Sequence, residues 1–115
     1  MWQKSLDFNS VTGEVRPFTT AVWDFVDGEE RLATVGVLRM SAYSDAFLWL
    51  KAHGKTYGAI RRVFDHMQEL HSLIGDKIVY AEVDKALPMN YKFLKKCGFE
   101  VCAEDDSRIL MMREI

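Results

Sequence analysis

One segment of the chain combines residue types and spacing suited to an anionic ligand. His53-Gly54-Lys55-Thr56-Tyr57-Gly58 runs directly into a stretch whose apolar residues recur at helical intervals. A glycine-containing turn at a helix start leaves backbone N–H groups unpaired. It also aims the positive end of the helix dipole at whatever docks there, which matches a phosphate or diphosphate. Lys55 adds a point charge. Turn glycines serve backbone geometry equally well, so a plain strand-to-helix connection is the competing reading. The segment is neither GxxxxGK[ST] nor GxGxxG.

The other reactive side chains point to structure rather than chemistry. Cys97 falls on the apolar stripe of a helix and at its C-terminal end, the wrong end of the dipole to stabilise a thiolate, so core packing is expected. His66 and His71 stand five positions apart and diverge by about 140° around a helix, so together with Glu69 they do not reproduce HExxH spacing, and no metal site is expected. Met111 and Met112 on a strand fill a core or a dimer face, leaving a homo-oligomer open. Trp23 and Trp49 read as core or cleft-wall aromatics.

These residues need a scaffold, and the chain is long enough for one. Its 115 residues predict a single domain. With 15 Lys and Arg against 17 Asp and Glu, the net charge of −2 supplies no basic field for nucleic acid. Its two cysteines are too few for a secreted disulfide framework, and neither an apolar span nor a signal peptide is evident, so a soluble protein of a reducing cytoplasm, without membrane contact, is expected.

Met1 to Pro17 reads as an irregular arm or one short strand near Lys4 to Phe8. Two β-rich runs, Thr19 to Val26 and Arg31 to Met40, flank a hairpin signal at Asp27-Gly28. Gly36 in the second run predicts a bulge ahead of a close backbone approach. Ala46 to Ala52 is a short apolar strand. From Gly58 to Leu73, Ile60, Val63, Phe64, Met67, Leu70 and Leu73 form one stripe, so a single amphipathic helix is predicted, stopped by Gly75. Lys77 to Asp84 follows as a central strand, with Ile78, Tyr80 and Glu82 on one face and Val79, Ala81 and Val83 on the other. Pro88 opens a second helix that Gly98 ends. Phe99 to Glu104 and Arg108 to Glu114 close the chain as strands around Asp105-Asp106-Ser107.

From Phe18 to Glu114 the chain resembles the Gcn5-related N-acetyltransferase (GNAT) superfamily. Two stretches carry the likeness: His53 to Gly58 against the family's [Q/R]-x-x-G-x-[G/A] turn, and Phe93-Leu94-Lys95-Lys96-Cys97-Gly98-Phe99-Glu100-Val101 against its LYxxxGFE junction. In the first, His53 stands for Gln or Arg, Thr56 for a glycine, and Gly58 is kept. In the second, Gly98-Phe99-Glu100 is intact but Leu94 occupies the place of the usual tyrosine acid. A short domain with His53-Gly54-Lys55 before a basic amphipathic helix, and with Phe93-Leu94-Lys95 three residues ahead of Gly98 in the last helix, also resembles GNAT-like proteins of short-tailed phages, internal virion proteins among them.

The resemblance implies an α/β (α+β) GNAT-like fold, a mixed and mostly antiparallel sheet flanked by helices with a reduced N-terminal part. It implies acetyl-CoA as cosubstrate, its pantetheine along the Ala46 to Ala52 strand, its cradle built from Leu50, Lys51, Ala52, His53, Gly54, Lys55, Thr56, Tyr57 and Gly58, and an oxyanion donor around Leu48 to Ala52. Acetyl transfer to an amine needs a base and a proton donor. Glu82, facing the implied cleft from an otherwise apolar strand face, is the candidate base, where burial would raise its pKa; pairing with an arginine is the alternative. Tyr91 and Tyr57 are the candidate donors, although Tyr91 is turned about 60° from Leu94 around the helix. The implied function is acetyl-CoA-dependent N-acetylation of an unidentified amine. The alternative is a catalytically inactive GNAT-shaped binding or virion protein, located in a host cytoplasm or a virion, with a protein partner. A small α/β interaction module would instead show a continuous sheet with no splayed strand pair.

Overall fold

A computed structural model describes residues 1–5, 16–41, 43–53 and 57–115. The two β-rich runs form a hairpin of β2 (Thr19–Asp27) and β3 (Glu30–Leu38), with Gly28 at φ +66° in the turn. Strand β1 (Trp2–Lys4) pairs antiparallel with β2, earlier in the chain than the expected position near Lys4 to Phe8, of which residues 6–8 lie outside the described residues. Trp2 accounts for that placement. It is buried and meets Phe25 edge-on at 5.1 Å, anchoring the strand by an aromatic contact.

Strand β4 (Ala46–Ala52) pairs antiparallel with β3, and β5 (Ile78–Asp84), β6 (Glu100–Glu104) and β7 (Arg108–Glu114) complete one seven-stranded sheet in the order β1-β2-β3-β4-β5-β7-β6. Among the described residues only β4 and β5 run parallel. A parallel neighbour requires a crossover, and the helices between these two strands provide it.

That crossover is two helices rather than one, α1 (Tyr57–Asp65) and α2 (Met67–Ile74), broken at His66, whose φ of −111° and ψ of 10° leave the helical region. The His66 carbonyl accepts from Leu70 N–H at 3.2 Å and from the Trp2 indole Nε1–H at 2.8 Å. An indole arriving from another strand is a tertiary contact that spacing within the helix does not show. The apolar stripe survives the break: Val63, Met67 and Leu70 are buried, each worth roughly 1.5–3 kcal/mol by area removed from water. Gly75 ends α2 at φ +87°, and its N–H donates to His71 O. Helix α3 (Pro88–Lys96) follows β5, and its Phe93 ring meets Phe64 of α1 at 4.5 Å, so both crossovers share one face of the sheet.

Alternation along the strands separates the two faces. Phe25, Val35, Ala46, Val79, Ala81 and Met111 are buried in the core with residues of the helices. Gly36 departs from the expected bulge. It keeps register with Val22 on one side and Trp49 on the other, and the irregularities of β2–β3 fall at Thr19/Ala21 and Phe25/Val26. Its reason is close approach: a Cβ there would lie 2.0 Å from Trp49 ring atoms.

Candidate functional site

The parallel pair is short. Ala46, Phe47 and Leu48 are in register with Val79, Tyr80 and Ala81, and beyond Leu48 and Ala81 the two strands part although both continue. Strand β4 stays paired with β3 as far as Ala52. Among the described residues that edge of β4 has no strand partner beyond Leu48, and it faces the opening. Hydrogen-bond direction alternates along a strand, and His53 N–H donates to Leu32 O on the β3 side at 2.8 Å. By that alternation the Leu50 and Ala52 backbone groups turn the other way, toward the gap. Leu50 N–H is the first donor released where the strands separate, and it lies within the stretch expected to supply an oxyanion donor.

A cavity of about 210 Å³ occupies the opening on the helix side, walled by Leu48 and Leu50 of β4, Ala81 and Val83 of β5, and Phe93 and Leu94 of α3. Glu82, Asn90 and Trp49 interrupt its otherwise apolar lining, and among the described residues the Trp49 Nε1, which is buried, has no hydrogen-bond partner. A second, more open hollow of about 460 Å³ borders Phe47, Glu82, Arg108 and Leu110. Glu82 borders both.

Burial is absent at Glu82. The side chain is 44% exposed, and its Oε1 accepts from Arg108 Nη1 at 2.6 Å. The arginine pairing raised as the alternative is thus present, and the burial argued for a raised pKa is not. Arg108 is held in turn by the turn preceding β7, where the Asp105 carboxylate accepts the Ser107 and Arg108 backbone N–H groups; those bonds hold its pKa below the ordinary aspartate value. Tyr91 packs against the core and does not line the cavity, whereas Leu94 does. The three-residue step around α3 is the cause.

Of the expected cradle, Leu50 reaches the cavity, and Lys51 is exposed, paired with Thr34 on the alternate face. Gly54, Lys55 and Thr56 lie outside the described residues, and Tyr57 and Gly58 open α1. His53 follows β4, with its Nε2 2.7 Å from the Thr34 hydroxyl, which lies 2.6 Å from Asp24 Oδ1. Burial, then Arg31 and Lys51, lower its pKa, and Asp24 opposes them. Sequence reasoning missed this relay, because its members come from two strands and the residue after a third, and no spacing links them.

Cys97 is buried as expected, and burial pushes its thiol pKa up to about 12, which leaves it inert. His71 is buried too. Its Nδ1 accepts from Arg113 Nη1 at 2.6 Å and its Nε2 donates to Asp76 O at 2.8 Å. Among the described residues no group of three potential metal ligands forms, and no helix is long and apolar enough to cross a membrane.

The same architecture occurs in solved acetyltransferases. Campylobacter jejuni N-acetyltransferase PseH superposes with a TM-score of 0.68 at 12% identity, covering 82% of this chain and 67% of PseH. The fold is that of the GNAT superfamily. An IAA acetyltransferase from Bacillus cereus matches over 100% of this chain and 99% of its own length, with a TM-score of 0.73 and 9% identity. The GNAT domain of S. lividans PAT matches at 18% identity and a TM-score of 0.65, over 83% of this chain and 60% of that domain's chain, so this protein spans less than two thirds of it. PseH has also been solved in complex with acetyl coenzyme A. No family model and no curated protein matches the sequence. The sheet contains a splayed β4–β5 pair, whereas an unrelated α/β module was expected to have none.

Proposed function

We propose that the protein is an acyl-CoA-dependent N-acetyltransferase of the GNAT type, with acetyl-CoA as cosubstrate and an amine as acceptor. The observation that carries this reading is the parting of β4 from β5 beyond Leu48, which opens an apolar cavity beside an unpaired strand edge. The pantetheine arm lies along Leu50 to Ala52, and the diphosphate lies between the end of β4 and the start of α1. The amine enters from the second hollow. Its nitrogen attacks the thioester carbonyl carbon, Leu50 N–H stabilises the oxyanion, and the C–S bond breaks with its electron pair leaving on sulfur. Glu82, which borders both hollows, accepts the proton of the attacking nitrogen. The thiolate takes its proton from water, because Leu94 carries none and Tyr91 stands off the cavity wall.

Calorimetry with acetyl-CoA and CoA tests the site. Binding is expected, and Gly58→Glu, which puts an anion at the start of α1, should abolish it while the variant remains folded. Absence of binding at millimolar CoA would remove the reading. With an accepted amine in hand, Glu82→Gln should lower kcat by roughly 10²–10⁴-fold.

A second reading has its own support: the Glu82–Arg108 pair and the apolar Leu94 remove two groups that turnover would use. In that case the chain is a non-catalytic GNAT-shaped binding protein, such as a virion component. CoA binding without transfer to any amine in a broad panel would favour it.

A further inference from the structure

The relay that ends on His53 has no part in the chemistry described above. Thr34 is fully buried and bridges β2 to the end of β4, with 2.6 Å to Asp24 Oδ1 and 2.7 Å to His53 Nε2. A hydroxyl has one proton to give, and a carboxylate can only accept. Thr34 therefore donates to Asp24 and must receive its own hydrogen bond from His53 Nε2–H. Donor counting fixes the neutral ring as the Nε2–H tautomer, so a second proton can enter only at Nδ1.

The charges facing the ring come from each strand around it: Asp24 on β2 at the far end of the relay, Arg31 on β3, and Lys51 on β4. Arg31 also approaches Asp24 at 3.9 Å. Burial and the two cations keep the imidazole neutral in the free protein at neutral pH, with Asp24 placed to stabilise the imidazolium once it forms. An added negative charge acts on that balance in the same direction as Asp24.

We propose that a diphosphate-bearing ligand docking at the end of β4 drives a proton from solvent onto His53 Nδ1, so that binding takes up a proton and tightens as the pH falls. The inference rests on the diphosphate placement argued under Proposed function. It does not require direct contact, because attraction between a diphosphate and an imidazolium within a Debye length is only partly screened. The relay holds the ring in one tautomer, and Asp24 supplies the counter-charge through Thr34.

The test is calorimetry with dephospho-CoA, whose diphosphate has no group titrating near neutrality, unlike the 3′-phosphate of CoA. Heats measured in two buffers of different ionisation enthalpy count the protons exchanged. The expected result is net uptake approaching one proton per ligand near neutral pH. The Kd should weaken by up to about tenfold per pH unit as the pH rises through the imidazole range. His53→Gln should bind with no uptake and a flat pH profile. Thr34→Val, which cuts the link to Asp24, should reduce the uptake. Imidazole ¹⁵N spectra of the free protein should show the Nε2–H tautomer at neutral pH. Binding without proton uptake, or uptake that persists in His53→Gln, overturns the proposal and leaves the site standing. Failure of both dephospho-CoA and CoA to bind at any pH removes the site, and the proposal with it.

Discussion

At the scale of single residues, Gly36 and Trp49 show a constraint that neither imposes alone. The indole occupies the space beside the glycine, so a Cβ on Gly36 would stand 2.0 Å from ring atoms, far inside van der Waals contact. Gly36→Ala should destabilise the protein by about 1–3 kcal/mol, since the ring must leave its seat or the strands must shift. Urea unfolding would measure this, and an unchanged midpoint would show that the ring moves freely. The isolated strand glycine was legible in the sequence. Its partner was not, because Trp49 reaches it through strand register, and the sequence favoured a bulge. Glu82 was legible in the same partial way. Its strand face followed from alternation, but exposure and the bond from Arg108 depend on how β5 and β7 pair.

At the scale of elements, two polar links decide how helices sit on the sheet. Trp2 Nε1–H donates to the carbonyl at the break between α1 and α2. Trp2→Phe keeps the aromatic contact and loses this bond, so a loss of about 1 kcal/mol is expected, with faster amide exchange in the helices around His66. Equal exchange in both proteins would mean that the break is intrinsic to the helix sequence. The second link is the chain of bonds through His71, where Asp76 O, the imidazole, Arg113 and Cys97 O join α2, the turn before β5, β7 and the end of α3. Since Arg113 can only donate, His71 Nδ1 must be an acceptor and the ring neutral. Burial and Arg113 hold its pKa below the ordinary 6.5.

The sign follows from linkage. Between the lowered folded value and 6.5 the unfolded chain binds more protons, so the His71 contribution is complete above 6.5 and declines as the pH falls toward the folded value. The slope per histidine is at most about 1.4 kcal/mol per pH unit. His71→Gln keeps a donor and an acceptor but does not titrate, and should flatten this acid limb in denaturation measured across pH. Arg39–Asp76 adds a loss of the same sign at lower pH, because the Arg39 guanidinium holds the Asp76 carboxyl below its ordinary value.

At the scale of the whole molecule, the sheet ends in an exposed edge, β6. Two copies paired antiparallel about Cys102 would set Glu100 of one opposite Glu104 of the other, and like charges so placed oppose association. Replacing both glutamates with threonine should produce concentration-dependent association in sedimentation, whereas the parent protein should not pair through this edge. Ligand binding also acts on the whole fold. A ligand at 100 times its Kd adds about 2.7 kcal/mol to stability, so acetyl-CoA should raise the Tm if it occupies the cavity.

Local pattern determined much of this protein. Apolar alternation and helical spacing marked β2 to β7 and the stripes of the helices, Pro88 marked where one helix begins and glycines where the helices stop, because backbone sterics and one-sided burial act within a few residues. The tertiary structure alone decided where β4 leaves β5, which groups line that gap, that an N-terminal indole interrupts the crossover helix, and that Asp24, Thr34 and His53 meet. Each of these depends on contacts between strands or helices distant in sequence, whose register is set when the sheet closes over its core.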